Sequence, residues 1–297
     1  MRCMRGTVAT ALRYWLTTCA VVGVILGSVT PAQAQAPLPE DIKARGKLVV
    51  GVKCDFPPLG YVDADDRNVG FEIDVVHELA RLAFGSPDKV EFVCVAGPNR
   101  IPFITSGRVD MIVSVLSYTA DRAKVIRFSK PYLDSGVRMV APLATKIGNW
   151  ADLKGQTITT TTGGTPAIWM DRCMKDAHQL VFDNTADSIA AVKQGRAVAY
   201  AQDITLLVGI VAKDHSLKII GDSEVRGPIN VGMKLDNAAL GAWLDESIDT
   251  MTSSDFFWKD LTKWVPADVL SLFTDAVPRP GGRTILNSEA DDIYKCP

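Results

Sequence analysis

The chain has 297 residues, 47% hydrophobic and 22% charged, with a formal net charge of -2. This is ordinary globular composition with room for about two domains, and it excludes wholesale disorder or a collagen-like chain. The charge balance gives no global pull toward nucleic acid or anionic lipid, and the widely spaced His77, His178 and His215 offer no readable metal site.

The first 34 residues read as an export signal. Arg2, Arg5 and Arg13 make a basic start, Trp15 to Val29 is mostly apolar, and Ala32-Gln33-Ala34 supplies a small-x-small cleavage pattern. The apolar run is short of the roughly 20 residues that span a bilayer. A lipoprotein reading at Cys19 is weaker, because apolar sequence continues beyond it. Cleavage after Ala34 takes three of the 32 basic residues, leaving 29 against 34 acidic ones. Cys54, Cys94, Cys173 and Cys296 remain. An even number in an exported chain suggests two disulfides, in any of three connectivities, with buried free thiols as the alternative. No C-x-x-C occurs, so a zinc site is not indicated.

Lys47 to Val52 reads as a buried strand, stopped by Asp55-Phe56-Pro57-Pro58. Phe71 to Phe84 has the spacing of an amphipathic helix, ended by Gly85 and Pro87. Val90–Val95 is a second strand, Arg100–Ser106 a short helix, and Val109–Val115 a third strand, with a further helix expected from Thr119. The alternation restarts downstream. Strands are expected at Gln156–Thr161, Gln179–Phe182 and Ala197–Ala201, with helices at Pro166–Lys175, Asp187–Gln194 and Thr205–Lys213. Two α/β units of similar size imply two lobes, each a mostly parallel sheet flanked by helices, with a cleft between them.

Ligands bind beyond the carboxyl ends of strands in such sheets. Three segments sit there. In Leu116 to Arg122, Thr119 is a good N-cap. Arg122 in the first turn of a helix is unfavourable unless an anion is bound; the competing role is an ion pair with a structural Asp. In Thr162-Gly163-Gly164-Thr165-Pro166, Thr165 is expected as N-cap, and the glycines admit close backbone approach. In Gln202-Asp203 the acid is suited either to an ammonium group or to capping the next helix. Together a cation in one lobe and an anion in the other suit a zwitterion, the head group of an α-amino acid.

At this point the sequence resembles the periplasmic solute-binding proteins for polar amino acids that serve ABC importers, bacterial extracellular solute-binding proteins of family 3. The resemblance rests on Gly46 to Val52, Phe56-Pro57-Pro58, Gly70 to Asp74, Asn99-Arg100-Ile101-Pro102, Ser106 to Asp110, Thr119 to Arg122, Phe128 to Tyr132, Gly163-Gly164-Thr165 and Gln202-Asp203. It implies that Arg122 grips the α-carboxylate, with Ser117 and Thr165 as further donors beside Gly164. It also implies that Asp203 holds the ammonium and that Phe56 lies against the ligand. Lys53 and Arg100 fall at the side-chain end and favour an acidic or polar ligand, whereas Glu72 opposes them or forms a structural pair with Lys53.

The implied fold is two α/β lobes joined by two crossover strands, near Gly136–Val140 and Ile229–Met233. Lobe 1 would span 37–137, completed by 234–297, and lobe 2 would span 138–233. The implied function is capture of an amino acid in the periplasm and delivery to an inner-membrane ABC permease, by a monomer without cofactor, metal or nucleic acid. The alternative is an exported enzyme on the same scaffold, similar to cyclohexadienyl dehydratases, with Glu72 or Lys53 as acid or base. The expected disulfides are Cys54–Cys94, between neighbouring parallel strands, and Cys173–Cys296, tying the C-terminal tail to lobe 2.

Overall fold

A computed structural model describes residues 36–290 and Cys296. The expected export signal therefore lies outside the described residues. In chain order the elements are α1 (Glu40–Arg45), β1 (Leu48–Val52), β2 (Asp55–Phe56), β3 (Gly60–Val62), β4 (Asn68–Val69), α2 (Phe71–Phe84), β5 (Val90–Cys94), α3 (Arg100–Ser106), β6 (Met111–Val113) and β7 (Ile126–Pro142). There follow β8 (Thr157–Thr161), α4 (Thr165–Cys173), β9 (His178–Phe182), α5 (Thr185–Lys193), β10 (Ala199–Asp203), α6 (Ile204–Lys213), β11 (Leu217–Lys234), α7 (Ala238–Ser253) and α8 (Phe256–Trp264).

Eight strands form one continuous sheet in the order β5-β1-β6-β11-β7-β10-β8-β9, and β2-β3-β4 make a small second sheet. β5, β1 and β6 are parallel, as are β10, β8 and β9. β11 and β7 pair antiparallel with each other and with both flanking sets. These two long strands therefore join the lobes. Their register breaks where Ile220, Glu224 and Gly227 face Met139, Val137 and Ser135. Gly221 (φ 75°) and Val225 (φ 48°) stand in the left-handed region there, as bulged strands require. Gly232 and Met233 already pair with Ile112 and Met111 of β6. The register of β11 against β7 shifts again between Ile229 and Asn230 and between Asn230 and Gly232, within the second expected crossing.

α2 covers the expected residues and buries Phe71, Ile73, Val75, Val76 and Leu79. With α7 and α8 it encloses the largest core, which takes in Leu48, Val50, Trp243, Leu244 and Phe257. A second core forms around Trp150 and Trp169, whose rings meet edge-on at 5.1 Å. A third lies under α3, at Ile104, Ile112, Leu116 and Ile126.

The helix expected from Thr119 is not formed. One 3-10 turn, Arg122–Lys124, precedes β7, which begins at Ile126 and leaves no room for more. Asp121, not Thr119, is the N-cap of that turn; the Thr119 hydroxyl accepts from the Arg122 N–H at 3.1 Å. At α4 the N-cap is Gly164, and Thr165 is already the first helical residue. Pro166 then occupies the second position, where its missing N–H costs nothing.

Both expected disulfides are present. Val52 of β1 lies opposite Cys94 of β5, which brings Cys54 within a Cα–Cα distance of 5.6 Å. Cys173, ending α4, is joined to Cys296.

Candidate ligand-binding site

β6 ends at a strained corner. Val115 has φ 44°, a costly conformation for a β-branched residue, on the order of 1–3 kcal/mol. Two buried side chains hold it there. Glu72, on the inner face of α2, accepts the Val115 N–H at 2.7 Å. Arg100, at the start of α3, donates from Nη1 to the carbonyls of Ser114 and Val115 at 3.0 and 3.1 Å. Glu72 also accepts from the Tyr132 hydroxyl. Burial pushes the Glu72 carboxyl up to about 7, although both hydrogen bonds and the Arg100 and Lys53 charges pull it down.

The corner delivers Ser117 to a cavity between the lobes. Lys53, Phe56, Arg100 and Val115 line it from the first lobe, and Thr161, Gly164, Thr165, Gln202 and Asp203 from the second. Seven of the nine ligand residues expected from sequence therefore meet around one space. Arg122 lies just behind it, donating to the carbonyls of Ser117 at 2.8 Å and Gly163 at 3.0 Å. With no long helix at Arg122, the argument from helix dipole has no footing. The guanidinium is oriented by backbone carbonyls instead.

Glu72 is the ninth. It is fully buried beneath Val115 and takes no part in the lining. The alternative of a Lys53–Glu72 pair is not formed, since Lys53 Nζ pairs with Asp55 at 3.3 Å. Burial lowers the Lys53 pKa, and Asp55 opposes that shift. Arg100 is also largely engaged, donating to the Gly97 and Gly163 carbonyls as well as to the two at the corner.

Asp203 closes β10 and occupies the N-cap of α6, yet its side chain makes no capping bond. Its carboxylate lines the cavity and is hydrogen-bonded by the Ser135 side chain, which pulls its pKa down against burial. Burial raises it to about 6, against the pull of the Arg100 and Arg122 charges. Gln202 bridges inward, donating to the Thr161 hydroxyl at 2.7 Å and the Tyr200 hydroxyl at 3.0 Å. Thr161, Asp183, Asn184 and Thr185 also line the cavity and were not expected. The last three follow β9, so the rule that ligands sit past strand ends was the available signal.

The arrangement supplies fixed cations on one wall, and hydroxyls with the carboxylates of Asp203 and Asp183 on the other. It offers no activated nucleophile beside a base.

Comparison with known proteins agrees. Residues 48–267 match the family model of bacterial extracellular solute-binding proteins, family 3. The glutamine-binding protein of Geobacillus stearothermophilus is 32% identical over 195 residues, covering 65% of this chain and 74% of that protein. The glutamate/aspartate import solute-binding protein of Escherichia coli is 24% identical over 236 residues, covering 76% and 78%. Among solved structures, the solute receptor for L-cysteine of Neisseria gonorrhoeae superposes with TM-score 0.73 at 32% identity, over 76% of this chain and 92% of that one. The cysteine-binding protein of Campylobacter jejuni gives TM-score 0.77 at 28% identity, over 81% and 98%. These relatives are named for binding rather than for catalysis. The chain therefore belongs to family 3 of the bacterial extracellular solute-binding proteins, and it is a binding protein rather than an enzyme.

Proposed function

We propose that the protein captures a free α-amino acid with a polar side chain between its lobes, in the periplasm, and delivers it to an ABC permease in the inner membrane. The observation that carries this reading is the buried Asp203 carboxylate, which lines the cavity with Arg100 of the other lobe and feels the charges of both Arg100 and Arg122. An ammonium at Asp203 and a carboxylate at Arg122, with Ser117 and Thr165 as further donors, satisfy a zwitterion at both ends. The relatives named for glutamine, glutamate/aspartate and cysteine support the class of ligand.

At the side-chain end Lys53 is balanced by Asp55, and most Arg100 donors already meet carbonyls. One partly offset cation suits a neutral polar side chain and accepts an acidic one. It disfavours lysine and arginine by Coulomb repulsion. Two disulfides fit an oxidising compartment, and the leader ending at Ala34 supplies the route there.

A thermal-shift screen over the common amino acids and cystine tests the proposal. A ligand at 100 times its dissociation constant stabilises by about 2.7 kcal/mol. Stabilisation by glutamine, cysteine or glutamate is expected. A response to lysine or arginine alone overturns the assignment of the side-chain end, and no response to any amino acid overturns the proposal.

A further inference from the structure

Two glycines lie where the backbones of the two lobes touch, at separate points beside the cleft. Gly209 is in the middle of α6, in the second lobe. A Cβ there would fall 2.5 Å from the Pro57 carbonyl oxygen and 2.9 Å from Pro58 Cδ, both on the β2–β3 turn of the first lobe. Gly97 follows β5 in the first lobe. A Cβ there would fall 2.1 Å from the Thr162 carbonyl oxygen, on the loop after β8 in the second.

Neither position needs glycine for its own backbone, since neither has a positive φ. Gly209 even works against its surroundings, because glycine is the poorer helix former in a helix interior. What excludes a methyl group at each site is main chain of the opposite lobe, which no side-chain rotation can relieve. Gly163, by contrast, has φ 69° and needs glycine locally, so it carries no such information.

We infer that Gly209 and Gly97 are positioning residues that set how far the lobes close, and through that the affinity for the amino acid. Gly209 lies outside the cavity lining, whereas Gly97 is part of it, so the affinity of the Gly209 variants and the scattering of the Gly97 variant carry the test. The Gly97 contact also governs the loop whose Gly163 carbonyl receives Arg100 and Arg122 from the first lobe. Incomplete closure therefore withdraws a shared acceptor from both guanidinium groups. The inference rests on the amino acid reading for its effect on affinity, but not for its effect on shape.

The test uses Gly209→Ala, Gly209→Val and Gly97→Ala in the full mature protein. L-glutamine, L-cysteine and L-glutamate serve as probes, with calorimetry and small-angle X-ray scattering as readouts. Apparent affinity scales with the fraction of molecules able to close, so Gly209→Val should weaken binding about 30-fold or more, and each alanine variant about fivefold or more. Without a probe, Gly209→Ala should unfold at the same or a higher temperature than the wild type, since alanine favours the helix. A merely structural role would lower both quantities. With a probe added, wild-type scattering should fit the closed arrangement while Gly209→Val stays more extended. Wild-type affinity and wild-type scattering in Gly209→Val and Gly97→Ala overturn the inference. If no probe binds the wild type and the variants still scatter as more extended particles, the amino acid reading fails and the closure stop stands.

Discussion

The first lobe brings Lys53 and Arg100 to the cleft with Arg122 behind them, whereas the second brings Thr161, Thr165, Gln202 and two carboxylates, the buried Asp203 and the exposed Asp183. The cationic wall is immobilised. Arg100 and Arg122 are locked onto backbone carbonyls, and Glu72 stands behind the corner that positions them. The opposite wall holds hydroxyls and two acids, of which Asp203 is buried without a capping bond. Buried charges held by fixed dipoles need no reorganisation when an anion arrives. The second wall then needs only to complete the hydrogen bonds and supply one counter-charge.

The sharpest way to break this contrast is Arg122→Ala. Loss of the main partner of a buried carboxylate should weaken amino acid binding by about 3 kcal/mol, roughly 100-fold, in calorimetry. A loss of less than about threefold would show that the cationic wall does not hold the head group.

Glu72→Gln sharpens the contrast by isolating the support behind that wall. Burial raises the Glu72 carboxyl from its ordinary 4.5 to about 7. The folded state thus holds this proton more tightly than the unfolded chain. The resulting stabilisation is fully present below pH 4.5 and lost as pH rises through about 7, an effect on the order of 3 kcal/mol. Denaturation followed across that window should give a shallower pH slope for Glu72→Gln. Asp260, also pushed up to about 7 by burial, remains in the variant as an internal reference. An unchanged slope would mean that Glu72 does not titrate in the fold.

On the other wall, Asp203→Asn should weaken binding by about 2 kcal/mol, because the ammonium keeps a hydrogen-bond acceptor but loses its counter-charge. Wild-type affinity should fall as pH drops through about 6, where Asp203 takes up its proton. The variant should lack that dependence, and a variant that keeps it would locate the titrating group elsewhere. The smallest effect is expected from Thr165→Val, about 1 kcal/mol of binding for one neutral hydroxyl. A loss as large as that of Arg122→Ala would reverse the ranking of the two walls.

Regular elements were legible wherever local pattern and tertiary demand agreed. α2 and α3 occupy the residues their spacing predicts, since apolar periodicity and a following glycine mark both ends. Thr119 to Lys124 was misread because a good N-cap says where a helix can start, not how much chain is left before the next strand. Residue chemistry at strand ends pointed to Asp203 and Thr165, and the resemblance to Ser117; all three line the cavity. Glu72 was not, because α2 presents it inward beneath Val115, and that orientation depends on a corner with positive φ that no spacing rule announces. Arg100 was found by resemblance, but its carbonyl partners come from β6 and from the loop after β8, far along the chain.

The pairing of β6 with β11 also bears on the order in which the molecule can assemble. Met111 and Ile112 find their partners at Met233 and Gly232, more than a hundred residues downstream. β5, β1 and β6 therefore cannot be flanked on that side until most of the polypeptide has been made. α7 and α8, which roof the largest core, come later still. The β8–α4–β9–α5–β10 segment, by contrast, is continuous in sequence and can pair within itself. Pairing over such separations slows folding through the loop entropy that must be overcome first. In a family of extracellular proteins that order leaves the first half with nothing to close against until the second half has been made.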